Sequence, residues 1–259
     1  MKALFALTLL AIASLVQAGQ LVDVEVIDRN TGQTLETWAH RGKLYVAGTP
    51  GNRYAVRVTN KSGGRLLSVI SVDGVNAVTG ETASPGQSGY VLAAGQRAEI
   101  AGWRKSMEEV AAFYFTSITD SYAGRTERPQ NVGVIGVAVF REYEPPRLAE
   151  HFAEQRAKAA SSDAAAPAPS AAGNAKPRSE PASRQAAAEP TLGTGHGERL
   201  NARTEYTDFR RASDQPGEII SVYYDSRAKL IARGIIPSPV YSRPAPNPFP
   251  GNFVPDPKG

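Results

Sequence analysis

The sequence predicts a mostly β protein built on an antiparallel β-sandwich of the jelly-roll or Ig-like kind. Across residues 19–146, about eight or nine short runs rich in Val, Ile, Tyr and Phe recur at nearly regular spacing. Turn pairs that contain glycine, such as Asp73-Gly74, separate these runs. Runs of this kind without intervening helical patterns favour a sandwich or barrel over a fold of alternating strands and helices.

The predicted strands differ in how they are buried. Residues 21–27 and 54–58 alternate between apolar and polar side chains, which is typical of strands with one face on the core. Residues 66–72 form a further predicted strand. Residues 132–140 are nearly all apolar, so we expect a central strand that is buried on both faces.

Composition divides the chain into five segments. The predicted segments are a signal peptide (1–18), the β-sandwich domain (19–146), an Ala/Pro-rich linker with a short helix at its start (147–190), a helical segment (191–236) and a proline-rich tail (237–259). The linker lacks large apolar residues and periodicity, so it cannot bury enough surface to offset the entropy of ordering it. We therefore predict that it is disordered.

The N-terminus has the pattern of a cleaved export signal. Lys2 precedes an apolar run over residues 3–16, and Val16-Gln17-Ala18 fits a small-x-small cleavage site. The run is shorter than the roughly 20 residues that span a bilayer. We expect a periplasmic or secreted protein without a transmembrane segment in its mature chain. The absence of cysteine favours a bacterial origin, because exported eukaryotic domains often carry disulfides.

The prediction of a helix in this segment rests on capping signals around residues 219–231. Ser213 or Asp214 is placed to cap a helix, Pro216 fits its first turn, and Gly234 follows its last turn. The alternative is a strand over residues 219–224, because that stretch is β-branched and aromatic. The capping signals favour the helix.

Charge and residue counts exclude several classes of function. The net charge of +4 is spread over the chain without a basic block, which argues against nucleic-acid binding. With no cysteine and three histidines, the chain has no thiolate ligands and little means of building a histidine metal centre. We expect neither a metal nor another cofactor.

Possible catalytic motifs are weak. Ser88 lies in a Gly-Gln-Ser-Gly run whose second glycine comes one residue too early for a nucleophile elbow. Ser226 and Lys229 match a Ser-x-x-Lys pattern, but the other motifs of that enzyme class are missing or out of order. A hydrolase would need His196 or His40 as its base, with Glu198 or Asp120 assisting.

Three clusters predict binding loops. Trp103 and Arg104 place an aromatic ring beside a cation at a strand end. Asp120, Tyr122 and Arg125 lie in a polar loop between two apolar strands. His196 and Glu198 follow glycines that leave the backbone free to approach a ligand. Binding residues favour loops held on a rigid sheet, so these seven residues are the candidate binding site.

The strings over several predicted strands and loops resemble a group of exported bacterial proteins of unknown function. They are residues 71–74, 89–92, 100–106, 120–123, 133–136, 192–198 and 223–226. The resemblance covers the β-domain and the segment after the linker. It implies export, and no functional residue follows from it.

These observations predict an exported, non-enzymatic binding or interaction module of the bacterial envelope or extracellular space. Its partner would be an envelope or extracellular protein or a glycan. Two alternatives remain: a hydrolase of envelope polymers that uses a histidine–carboxylate pair, and a structural subunit that assembles with copies of itself. Fold class alone does not choose between them.

Overall fold

The computed structural model describes residues 19–145 and 192–238. The predictions for the signal peptide, the linker with its short helix and nearly all of the proline-rich tail lie outside these residues. The described strands are β1 (Val22–Asp28), β2 (Thr37–His40), β3 (Lys43–Gly48), β4 (Arg53–Asn60), β5 (Leu66–Val72), β6 (Val75–Asn76), β7 (Tyr90–Leu92), β8 (Arg97–Ile100), β9 (Gly102–Arg104), β10 (Glu109–Ser117), β11 (Val134–Arg141), β12 (Leu192–Asn201) and β13 (Glu218–Ser226). The described helices are α1 (Tyr122–Arg125), a 3-10 turn (Pro129–Asn131) and α2 (Arg227–Ala232).

The strands form two sheets, which confirms the prediction of a mostly β protein. The six-stranded sheet has the order β1-β4-β10-β12, with β8 paired to β4 and β9 paired to β10, and every pair is antiparallel. The seven-stranded sheet has the order β2-β3-β13-β11-β5-β6, with β7 paired to β5. In this sheet β3 and β13 run parallel, so the prediction of purely antiparallel pairing is wrong there. The chain between these two strands is long enough to return in the same direction, which a parallel pair requires.

Both sheets contribute side chains to one hydrophobic core. The six-stranded sheet supplies Val26, Val56, Val58, Phe113 and Phe115, and the seven-stranded sheet supplies Val46, Ile70, Val72, Ile135, Val137 and Val222. Strand β11 lies between β5 and β13, and its residues 137–140 are all buried, as its apolar sequence predicts. Alternation along β5 sends Ile70 into this core and Leu67 and Val69 into a separate cluster on the other face.

The prediction of a helix over residues 219–231 is wrong for most of its length. Residues 218–226 form β13, which pairs with β11 on one side and β3 on the other. Its β-branched and aromatic side chains suit a pleated sheet better than a helix. The helix begins later, where Ser226 rather than Ser213 or Asp214 provides the N-cap, and Gly234 follows it with a φ of 69° as the sequence predicts.

The glycine-rich run over residues 192–198 is also a strand rather than a loop. Strand β12 pairs with β10 along most of its length. A Cβ atom built on Gly195 would lie 2.1 Å from Cζ of Tyr114, so only glycine lets this ring lie across the strand. The glycines that suggested a flexible loop therefore reflect close packing on one face of β12.

The outer face of the seven-stranded sheet carries two further apolar clusters. Helix α2 and the residues after it cover the first, in which Leu230, Ile235 and Ile236 pack on Tyr45. Phe209 and Val91 pack against the second, which contains Leu67 and Phe140. No helix in the described part of the chain is long and apolar enough to cross a membrane.

Candidate binding groove

An open groove of about 760 Å³ lies where three segments distant in sequence meet. Residues 86–91 lead into β7, residues 104–107 comprise the last residue of β9 and the turn after it, and residues 204–211 belong to the connection between β12 and β13. Leu67, Val78 and Thr79 complete the lining. Hydroxyl and amide groups line it beside aromatic rings, and the tyrosine at position 206 is 92% exposed. The groove therefore offers both hydrogen-bonding groups and an accessible ring.

The connection between β12 and β13 is held in place by the backbone. The N–H of Thr204 donates to the carbonyl of Met107 at 2.8 Å, and the N–H of Tyr143 donates to the carbonyl of Arg210 at 2.7 Å. The Arg65 guanidinium also donates to the carbonyl of Asp208 at 2.8 Å. This connection is neither helix nor strand over most of its length. The hydrogen bonds fix it at both ends, so it forms one wall of the groove.

A buried asparagine organises two other parts of the groove. Asn76 is fully buried, and its Oδ1 accepts hydrogen bonds from the N–H groups of Val78 and Thr79 at 2.7 and 3.1 Å. Its Nδ2 donates to Gln87 Oε1 and to the carbonyl of Ser88, both at 3.1 Å. One side chain therefore joins the turn after β6 to the loop before β7. Ser88 is a loop residue here, as its sequence context predicts.

Arginine side chains stack on aromatic rings around the groove. The pairs are Arg211 with Phe140 at 4.2 Å, Arg104 with Tyr90 at 5.7 Å and Arg65 with Phe209 at 5.8 Å, measured from Cζ to the ring centroid. Stacking of this kind fixes the plane of a guanidinium while leaving its edge available for hydrogen bonds. Of the predicted site residues, Arg104 is the one that lines the groove.

Three other predicted site residues form a cluster of aromatic rings, the ring cluster, beside the groove. The His196 imidazole lies 6.3 Å from the Trp103 ring and 5.5 Å from the Tyr122 ring, and those two rings are 4.9 Å apart, between centroids. Trp103 is 2% exposed and meets Phe113 edge to face, so it belongs to the core. Strand pairing of β9 and β12 with β10 brings the tryptophan and the histidine together.

The surroundings of His196 are cationic. Partial burial lowers its pKa, and the positive charges of Lys105, Arg125 and Arg199 lower it further. A hydrolytic base of the predicted kind needs a carboxylate partner. Glu198 instead pairs with Arg53 at 2.6 Å, with both side chains about half exposed. The geometry therefore gives no support to a pair between His196 and Glu198.

The remaining predicted site residues lie at the surface near α1. Asp120 accepts a hydrogen bond from the Ser117 hydroxyl at 2.7 Å, which makes it part of the turn before α1. Arg125 is exposed in the last turn of that short helix. The seven predicted residues thus divide among the groove, the ring cluster, the region around α1 and, for Glu198, an ion pair at the surface of β12. His40, the other predicted base, lies at the end of edge strand β2.

A buried polar network connects the two sheets. Tyr224 donates a hydrogen bond to Asp73 Oδ1 at 2.5 Å, and the N–H groups of Gly133 and Thr194 donate to the same carboxylate at 2.9 and 2.7 Å. Thr194 Oγ1 lies 2.7 Å from the Tyr224 hydroxyl and 2.6 Å from that of Tyr54. Since each hydroxyl has one proton, the order of donation is Tyr54 to Thr194, Thr194 to Tyr224 and Tyr224 to Asp73.

Burial dominates the acid–base behaviour of this network. It raises the pKa of Asp73 from 3.8 to about 6, and the hydrogen bonds that the carboxylate accepts oppose that rise only in part. Burial, together with the charge of Asp73, also raises the pKa of Tyr54 and of Tyr224 well above 10. The network is sealed in the core, so it has a structural role and no access to a ligand.

Sequence reasoning missed most of the groove and all of the network. The groove combines segments more than 90 positions apart, and the network needs β5, β12 and β13 in register. One signal was present, because Arg210-Arg211 and Arg104-Lys105 are the densest basic pairs in the sequence, and three of these four residues line the groove.

The described residues contain no group of three or more histidine, aspartate or glutamate side chains arranged to hold a metal ion. No protein-family model, curated protein or solved structure matches the chain. The resemblance to exported bacterial proteins therefore stays a prediction.

Proposed function

We propose that the protein is an exported, non-enzymatic binding module of the bacterial envelope or extracellular space, and that the groove is its ligand-binding surface. In this proposal the two sheets form a β-sandwich of the jelly-roll or Ig-like kind that acts as a rigid scaffold. The observation that carries the proposal is an open groove of about 760 Å³ whose walls are fixed by hydrogen bonds from Asn76 and from the backbone. Ligand-binding sites typically have volumes of about 300–1,000 Å³, and the groove lies within that range.

The hydrolase alternative has less support, because Glu198 pairs with Arg53 rather than with His196. The self-assembly alternative has no specific observation in its favour among the described residues.

The test is a titration of the purified protein with soluble envelope and extracellular polymers, followed by thermal shift and calorimetry. The probes are oligogalacturonate, its methyl ester, polyphosphate and peptidoglycan fragments. The variant Tyr206→Ala removes a groove ring that is 92% exposed, so it should weaken binding without changing the fold. The control is Ile219→Ala, which removes an exposed side chain, 62% accessible, from outside the groove. Binding by none of the probes, or equal binding by both variants, would contradict the proposal.

A further inference from the structure

We propose that the ligand of the groove is an anionic glycan, a polysaccharide that carries carboxylate groups. This inference rests on the proposed function and specifies the ligand class. Its basis is three cations in the groove, Arg104, Lys105 and Arg211, which form no ion pair with a carboxylate in the described part of the chain.

The unpaired state of these cations contrasts with that of four basic residues elsewhere in the fold. Arg53, Arg57, Lys61 and Arg199 each lie within 3.5 Å of a carboxylate. The carboxylate that lines the groove belongs to Glu205, which pairs with Arg203 at 3.6 Å. The groove therefore keeps a positive charge that the protein does not neutralise itself. Charge of one sign along a cleft concentrates ligands of the opposite sign.

Arg211 is the best placed of the three to bind a carboxylate. Its guanidinium is half-buried, stacks on Phe140, and donates one hydrogen bond from Nη2 to the carbonyl of Gln87 at 2.7 Å. The carbonyl orients the group without cancelling its charge. The planar fork matches a carboxylate, which accepts two parallel hydrogen bonds from it.

Arg104 and Lys105 have complementary roles. Arg104 donates to the carbonyls of Ala202 and Ser106 at 2.6 and 3.2 Å and lies 3.4 Å from the Tyr90 hydroxyl, so most of its donors are used within the protein. It contributes fixed charge to the wall. Lys105 is exposed and adds a mobile cation at the rim.

The neutral lining favours a glycan over other polyanions. Hydroxyl side chains at Ser88, Thr204 and Thr207 match the hydroxyl groups of a sugar chain. The Tyr206 ring gives an exposed apolar platform for a sugar ring. The cations are too few for a phosphate backbone, which is bound by patches or stripes of basic residues.

The experiment compares oligogalacturonate with its fully methyl-esterified form by calorimetry on the full chain. The ester keeps the sugar backbone and removes the charge. We expect binding of the acid to be at least about tenfold tighter than that of the ester, and to weaken as ionic strength rises from about 0.05 to about 0.5 M. Lys105→Gln and Arg211→Gln should each weaken binding of the acid and leave binding of the ester unchanged. Lys229→Gln, which removes an exposed cation on α2, is the matched control and should have no effect.

The outcomes separate the two proposals. If acid and ester bind equally and Tyr206→Ala abolishes both, the proposal of an anionic ligand is wrong. The proposal of a binding module would then still hold. Tighter binding of polyphosphate than of oligogalacturonate would also contradict the assignment of the ligand as a glycan. Because Arg211→Gln alters a stacked side chain, Lys105→Gln provides an independent test at an exposed position. Unchanged affinity in Lys105→Gln and Arg211→Gln, with circular dichroism showing both folded, would place the ligand elsewhere.

Discussion

The buried carboxylate of Asp73 makes the stability of the fold depend on pH in an unusual direction. Most proteins lose stability in acid because their carboxylates are more acidic when folded. Burial has the opposite effect on Asp73 and raises its pKa to about 6. The favourable contribution of Asp73 to stability is complete well below pH 3.8, where its carboxyl is protonated in both the folded and the unfolded state. It is lost as the pH rises through about 6.

The size of the effect follows from the two pKa values. A rise from 3.8 to about 6 corresponds to about 3 kcal/mol of unfolding free energy. Ion pairs of exposed carboxylates change over the same pH range, so the wild type alone does not isolate this contribution. The variant Asp73→Asn does, because it removes the titration and keeps the shape of the side chain. Its amide faces the N–H of Thr194, which lowers stability by a constant amount at every pH.

The assay is urea denaturation of both proteins at intervals from pH 4 to pH 7.5. We expect the unfolding free energy of the wild type to fall by about 2 kcal/mol relative to that of Asp73→Asn across this range, because part of the total is already lost at pH 4. Asp214→Asn, which replaces an exposed carboxylate, is the matched control. A difference between wild type and Asp73→Asn that stays constant with pH, or that grows as pH rises, would refute the reasoning.

Three other predictions test the fold and the surroundings of the groove. Gly195→Val should lower the unfolding free energy by about 1–3 kcal/mol, because its Cβ would meet a tyrosine ring at 2.1 Å, while Gly63→Val at an open position should have little effect in the same denaturation assay. The pKa of His196, measured by NMR titration, should lie below 6.5, and Lys105→Gln should raise it; a pKa at or above 6.5 in the wild type would contradict the burial argument. Truncation after Pro145 removes β12 and β13, so circular dichroism should show loss of the cooperative transition, and a stable truncated domain would refute the central position of β13.

Local patterns predicted the strands whose sequences alternate or are wholly apolar. The alternation of residues 21–27 and the apolar run of residues 132–140 correspond to β1 and β11, because side-chain periodicity directly reports which faces are buried. The C-terminal boundary near Gly234 was also predictable, since a residue with positive φ after a helix is usually glycine.

Tertiary contacts determined the secondary structure of the two segments that local sequence patterns predicted wrongly. The glycines of β12 suggested a loop, but the ring of Tyr114 fills the space that they leave. In β13, capping signals competed with β-propensity, and pairing on both edges with β11 and β3 favoured the strand. Tyr114, β11 and β3 all lie far from these segments in the sequence, so local sequence patterns gave no information about these contacts.

The candidate site was predictable only in parts. A dense basic pair and an adjacent tryptophan drew attention to Arg104, which lines the groove. Burial of Trp103 and pairing of Glu198 with Arg53 depend on how β9, β10 and β12 align. Whether a polar side chain is free to bind a ligand is set by its neighbours in space, and the sequence does not report them.

Hydrogen exchange with and without oligogalacturonate tests the central claim most directly, because it locates the bound polymer on the full chain. We expect slower exchange in residues 86–91, 104–107 and 204–211, and unchanged exchange in residues 122–125 of α1. Protection confined to α1 and β12, or no protection at a concentration that saturates binding, would contradict the assignment of the groove as the binding surface.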